Sequence, residues 1–143
     1  MRKRLFNQPL LILLIGIAGL AMYLPAIHAT VLQSHGEARA FFYSGTLTLT
    51  IVTLVAIAMA SKPRPRSSMR NLAALVVAFT ILPLILAVPF YEALGTTSFL
   101  NSYVEMVSSL TTTGASLFEP TRLSSTLHLW RGMVGWLGGF LIW

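Results

Sequence analysis

The length of its uncharged apolar runs constrains this chain more than any other feature. From about Gln8 to Ile27 the sequence reads QPLLILLIGIAGLAMYLPAI, without one charged side chain. A helix rising about 1.5 Å per residue over that stretch reaches across a hydrocarbon core of about 30 Å. Two further runs, Ala40–Ala60 and Asn71–Phe90, are of similar length and character. Soluble domains carry roughly a quarter charged residues; this chain of 143 residues carries 10%, against 55% hydrophobic. The solvent for most of it is lipid.

The net charge of +6 raises the question of nucleic acid, and its distribution answers it. Most of the ten basic residues sit in two places: Arg2, Lys3 and Arg4 at the start, then Lys62, Arg64, Arg66 and Arg70 in one short stretch. Each cluster flanks an apolar run, as the positive-inside rule requires of cytoplasmic ends. A nucleic-acid surface would interleave aromatics with basic residues on a polar face, so no nucleic-acid partner is expected. The basic start also resembles a secretory signal. Ala26-Ile27-His28-Ala29 puts Ile27 where cleavage needs a small residue, and the run exceeds the usual signal core of about 7–15 residues. It reads as a retained span with its N-terminus in the cytoplasm.

The second run contains Ser44, Thr46, Thr48, Thr50 and Thr53. The alternation from Thr46 to Thr50 imitates a strand, but an isolated strand cannot satisfy its backbone in lipid, so the expectation is a helix. Its hydroxyls suit helix packing or a polar stripe facing a cavity. Residues 61–70, SKPRPRSSMR, form a basic cytoplasmic loop. The third span, 71–90, holds Pro83 and Pro89, read as kinks. All four acidic residues, Glu37, Glu92, Glu105 and Glu119, then fall on the outer side or in the segment after it. The absence of cysteine removes thiolate catalysis and Cys-based metal sites.

Residues 98–110, SFLNSYVEMVSSL, repeat apolar side chains at three- and four-residue spacing behind a capping Ser98. That predicts an amphipathic helix too short to cross a bilayer. It leads into Thr111-Thr112-Thr113-Gly114-Ala115-Ser116, and Leu129–Trp143 is apolar again. Two readings of the threonine run stand side by side. It can be a turn between helices. It can equally be non-helical backbone at membrane depth, whose carbonyls replace the hydration shell of a cation.

Two motifs go further. LPLILAVPFYEALGTTSFLNSYVEMVSSLTTTGASL (Leu82–Leu117), followed by LWRGMVGWLGG (Leu129–Gly139), resembles the Trk/Ktr/HKT superfamily of potassium transporters, most closely the bacterial Trk-type membrane subunit. In that family a membrane helix leads into a pore helix, a filter loop with TTTG, and a helix opening with Leu-Trp-Arg and Trp-Leu-Gly-Gly. The family's pore-helix aspartate position is Asn101 here, with Ser102 and Val104 replacing an alanine and a phenylalanine, and Gly135 replacing a glutamine.

The resemblance implies an all-α membrane protein: an N-terminal helix pair over 1–60, the basic loop 61–70, and one pore repeat over 71–143. That repeat comprises membrane helix 71–90, pore helix 98–110, filter 111–116 and the start of a second helix, 129–143, cut short at Trp143. The chain is then a piece of a longer protein contributing one quarter of a filter. Backbone carbonyls of Thr111, Thr112, Thr113, Gly114 and Ala115 would line it, with Thr112 and Thr113 the potassium ligands. Glu105 and Arg131 would brace the pore helix, and Gly135, Gly138 and Gly139 would allow close helix packing. The implied function is potassium uptake across a bacterial inner membrane, without covalent chemistry. The implied partners are the lipid bilayer, a second membrane subunit and a cytoplasmic nucleotide-binding regulator. The alternative is a small multi-pass membrane protein with a structural or interaction role. A serine hydrolase built on Ser116 and His128 lacks any nucleophile-elbow pattern.

Overall fold

The computed structural model describes residues 10–59 and 68–142, and every regular element among them is helical. The basic clusters at 2–4 and 62–66 lie outside the described residues. The helices are α1 (Leu10–Ala21), α2 (Tyr23–Val31), α3 (His35–Met59), α4 (Ser68–Leu94), α5 (Phe99–Leu110) and α6 (Ser125–Ile142), with a 3-10 turn at Pro120–Arg122. Among the described residues three stretches are long and apolar enough to span a membrane: Leu10–Val31, His35–Met59 and Leu75–Leu94.

The first span is one rod in two pieces. Pro25 has no N–H to offer the carbonyl of Ala21, which is where α1 ends. The ladder carries on around the gap through Met22 N–H to Ala18 and Ala26 N–H to Met22. α1 and α3 approach closely where Gly19 and Gly45 meet: a Cβ on Gly45 would lie 3.1 Å from the Gly19 carbonyl. Small residues at a membrane helix contact permit this backbone-to-backbone approach.

α3 starts at His35, before the expected Ala40, because the polar opening HGEARA is helix from its first residue. Thr46, Thr50 and Thr53 each donate their hydroxyl to the carbonyl four residues back, at 2.7–2.8 Å. A hydroxyl on an exposed membrane face is satisfied in this way within its own helix. Ser44 and Thr48 are turned inward. α4 carries Pro83 and Pro89 without breaking.

The core joins both halves of the chain. Trp130, Phe41, Phe90, Leu82 and Leu86 are fully buried, with Trp130 meeting Phe41 edge-on at 5.4 Å. The Trp130 indole N–H donates to the Leu86 carbonyl at 3.2 Å. At the other side of this contact, His28 Nδ1 lies 3.1 Å from the buried Thr126 hydroxyl, tying α2 to the start of α6.

Candidate functional site

α5 begins where the sequence places it. Ser98 is extended and its hydroxyl accepts the Asn101 N–H at 3.3 Å, the ordinary N-cap arrangement. The spacing predicts an amphipathic helix without saying which face is buried. Ser102, Glu105, Met106, Ser108 and Leu110 face inward, while Leu100 is 67% exposed and Val104 41%. In a membrane the outer solvent is apolar, so a helix gains by turning its polar residues inward toward partners.

At its C-terminus α5 stops in a defined way. Thr111 N–H donates to Val107, Thr112 N–H to Ser109 and Thr113 N–H to Ser108, at 2.9, 3.1 and 3.0 Å. The last two bonds form a Schellman motif, which places the residue after the cap in left-handed backbone. That residue is Thr112, at φ 56°. Glycine normally fills this position, and a β-branched residue there is an outlier costing roughly 1–2 kcal/mol. Gly114 is also left-handed, at φ 74°.

These bonds orient the carbonyls. In a planar trans peptide the C=O points opposite to the N–H of the same unit. The N–H groups of residues 112 and 113 point back into the helix, so the carbonyls of Thr111 and Thr112 point away, into the space beyond its end. Among the described residues, the carbonyls of Thr111, Thr112, Thr113 and Gly114 accept no hydrogen bond. Ala115 differs from them: its carbonyl accepts the Ser108 hydroxyl at 2.5 Å and is held toward the helix. The Thr111 and Thr113 hydroxyls pair at 2.8 Å. Residues 112–117 are exposed in this chain.

Behind the loop lies Glu105, fully buried. Its Oε2 accepts the Leu117 N–H at 2.9 Å, and its Oε1 lies 3.0 Å from the Ser116 hydroxyl. Arg131 Nε, on α6, is 2.8 Å from the same Oε1. The Nε–H is not aimed along that line, so the contact is an ion pair rather than a linear hydrogen bond. One carboxylate thereby joins α5, the far end of the loop and α6. Ser116 also bonds across to the Phe118 backbone, and His128 Nε2 sits 3.0 Å from the Pro120 carbonyl, so these two side chains have separate partners.

α6 starts at Ser125, earlier than the expected Leu129, because the Ser124 hydroxyl accepts the Leu127 N–H and caps it. Of the three glycines grouped by sequence, Gly138 makes the close approach. A Cβ there would run into the Leu110 carbonyl at the end of α5, so α6 crosses that end backbone to backbone. A Cβ on Gly135 would sit at an ordinary 3.6 Å from the Ser109 carbonyl. Gly139 makes no close approach within this chain: an added Cβ meets nothing within 4 Å, and the residue faces an open groove with Gly132, Trp136 and Phe140.

Ser108 and Ser116 are the contacts that sequence reasoning missed. The signal for Ser108 was its place one turn after Glu105, on the same face of the helix.

Neither a family model nor a solved structure matches this chain. A curated relative does: the Trk system potassium uptake protein TrkI of Halomonas elongata, 40% identical over 65 residues. The match covers 45% of this chain and 12% of that protein, so the chain spans a small part of its relative. Over that stretch the chain is similar to a Trk-type potassium uptake protein, the relationship to which the TTTG and Leu-Trp-Arg motifs pointed.

Proposed function

We propose that this chain takes part in potassium uptake across a membrane, its loop 111–116 forming one wall of a selectivity filter at the end of pore helix α5. One observation carries the reading: a too-short helix ends with carbonyls of Thr111 and Thr112 directed beyond it, while those of Thr113 and Gly114 have no partner among the described residues. Such carbonyls can replace water around a cation. Thr112 and Thr113 are the foremost ligands; the carbonyls of Thr111 and Gly114 complete the wall, and the Ala115 carbonyl belongs to its support. The C-terminal end of α5 adds a partial negative charge where the ion would sit.

On this reading Glu105 and Arg131 fix the height of the loop, and residues 71–143 are one pore repeat beside a helix pair. The remaining walls come from further repeats. The basic clusters favour an N-terminus in the cytoplasm, and the family resemblance supports a bacterial inner membrane as the site of the spans. A second membrane subunit and a cytoplasmic nucleotide-binding regulator follow from the family resemblance. No covalent chemistry is involved.

A structural or interaction role has one observation in its favour, since the Schellman bonds by themselves are a common way to end a helix. The deciding experiment places the complete reading frame that encodes this chain in a strain lacking potassium uptake. Restored growth at low potassium, lost on substitution of Gly114 by arginine while the protein still reaches the membrane, supports the filter. Growth that is not restored, or that survives this substitution, supports the structural role.

A further inference from the structure

At the turn between the first two spans, α2 and the opening of α3 enclose a cleft of about 430 Å³. Its walls are apolar below, with Ala26, Ile27 and Phe42, and polar at the rim, with Thr30, His35 and Arg39. Aromatic rings set its shape: Tyr23 meets Phe42 edge-on at 5.6 Å, and Phe42 meets Tyr43 at 6.1 Å. We infer that this cleft binds one anionic phospholipid, its phosphate on Arg39 and an acyl chain along Ile27, Phe42 and Tyr43.

Charge is the first argument. Among the described residues no carboxylate lies within 4.0 Å of Arg39, whose one protein bond is a long 3.4 Å contact from Nε to the His35 carbonyl. The terminal nitrogens of the guanidinium stay open, and this planar fork matches phosphate oxygens in pairs. The nearest acid in sequence, Glu37, lies on the opposite side of α3. At about 100° per residue it shares the inward face of Phe41, Ser44 and Thr48, whereas His35, Arg39, Phe42 and Tyr43 share the outer one.

Position is the second argument. The cleft opens at the end of the span Leu10–Val31 and the beginning of His35–Met59, where headgroups meet hydrocarbon. Tyr23 and Tyr43 stand about two helical turns inside those ends, where their rings line the part of the cleft an acyl chain would enter. The Tyr23 hydroxyl is already bound to Thr46 at 2.9 Å, so its ring is a fixed wall. A soluble phosphate would gain nothing from the apolar floor, whereas an acyl chain covers it. The inference rests on the spans alone and is independent of the filter.

The test is native mass spectrometry of the full chain, released from neutral detergent and titrated with phosphatidylglycerol, with phosphatidylcholine of the same chains, and with glycerol 3-phosphate. One phosphatidylglycerol should be retained about tenfold more tightly than phosphatidylcholine, because both lipids offer a phosphate to Arg39 but the choline cation of the second offsets the attraction of the guanidinium. Arg39→Gln should remove that preference, Arg39→Lys should keep part of it, and Arg122→Gln, at another surface, should leave it unchanged. Tyr43→Ala, which leaves Arg39 in place, should weaken both lipids together. Equal retention of the two lipids by the native chain overturns the inference, as does a preference that survives Arg39→Gln. Competition by glycerol 3-phosphate at the same concentration also overturns it, since that would mark a soluble-phosphate site.

Discussion

Arg131 reaches Glu105 at 2.8 Å across the gap between α6 and α5, and the carboxylate it meets also holds Leu117 N–H and Ser116. Glu105 is fully buried, while the Arg131 side chain is 20% exposed. A buried ion pair need not stabilise relative to an apolar pair, but losing one partner leaves an uncompensated charge. Arg131→Met should therefore destabilise by about 3 kcal/mol, and Glu105→Gln by less, because the amide oxygen can still accept from Leu117. In a double-mutant cycle read from thermal unfolding in detergent, the coupling should exceed about 1 kcal/mol. A coupling of zero would show the two charges to be independent.

Thr112 separates the two readings of the loop, because its backbone is left-handed at φ 56°. Thr112→Gly relieves that conformation and should raise the unfolding midpoint, by an amount corresponding to about 1 kcal/mol. A loop that only ends a helix should be improved by this change without other consequence. A filter wall needs a stiff backbone and should lose discrimination between potassium and sodium while the protein becomes more stable. Rubidium uptake in competition with sodium, measured beside the melting curve, distinguishes these results.

Composition made the spans legible through such runs as LLILLIGIAGLA, and the three stretches long and apolar enough to cross a membrane overlap the runs it picked out. Their ends were less legible. HGEARA is polar enough to look like a loop, yet it forms the first turns of α3, and Ser124 begins α6 inside a stretch that looks unstructured. The split of the first span needed the bookkeeping of the N–H that Pro25 lacks rather than hydropathy. At the loop, motif order located the segment, but the partners Ser108 and Ser116 depend on which face of α5 turns inward. Periodicity gives the stripe and not its direction, and the inward face of α5 mixes apolar Met106 and Leu110 with polar Ser102, Glu105 and Ser108.

Gly138 and Gly139 are adjacent, and the structure assigns them opposite sensitivities. A methyl group on Gly138 would occupy the position of the Leu110 carbonyl, a backbone atom that can move only with the end of α5. Gly138→Ala should cost about 2 kcal/mol or more, in the range of overpacked sites. Gly139→Ala meets no atom of this chain within 4 Å and should be neutral or slightly stabilising in the isolated chain, as alanine is the better helix former. Unfolding of the two variants side by side checks the contrast; equal losses would mean that α6 does not cross α5 at Gly138.

Gly114 tests the filter by a different physical route. An added Cβ meets nothing within 4 Å, so a small side chain is not excluded by space. The obstacle is the backbone, at φ 74°, where an L-residue is disfavoured by roughly 1–2 kcal/mol. Gly114→Ser should leave the helices and their melting nearly unchanged, since no hydrogen bond among the described residues fixes the Gly114 backbone, unlike that around Thr112, and the loop can relax. Its effect should fall on the carbonyls of Thr113 and Gly114, which move as φ relaxes toward negative values. In the complete protein the expected result is normal abundance with potassium-over-sodium preference reduced. Unaltered preference in that variant would remove Gly114 from the filter, and with it the reason for reading residues 111–116 as more than the end of a helix.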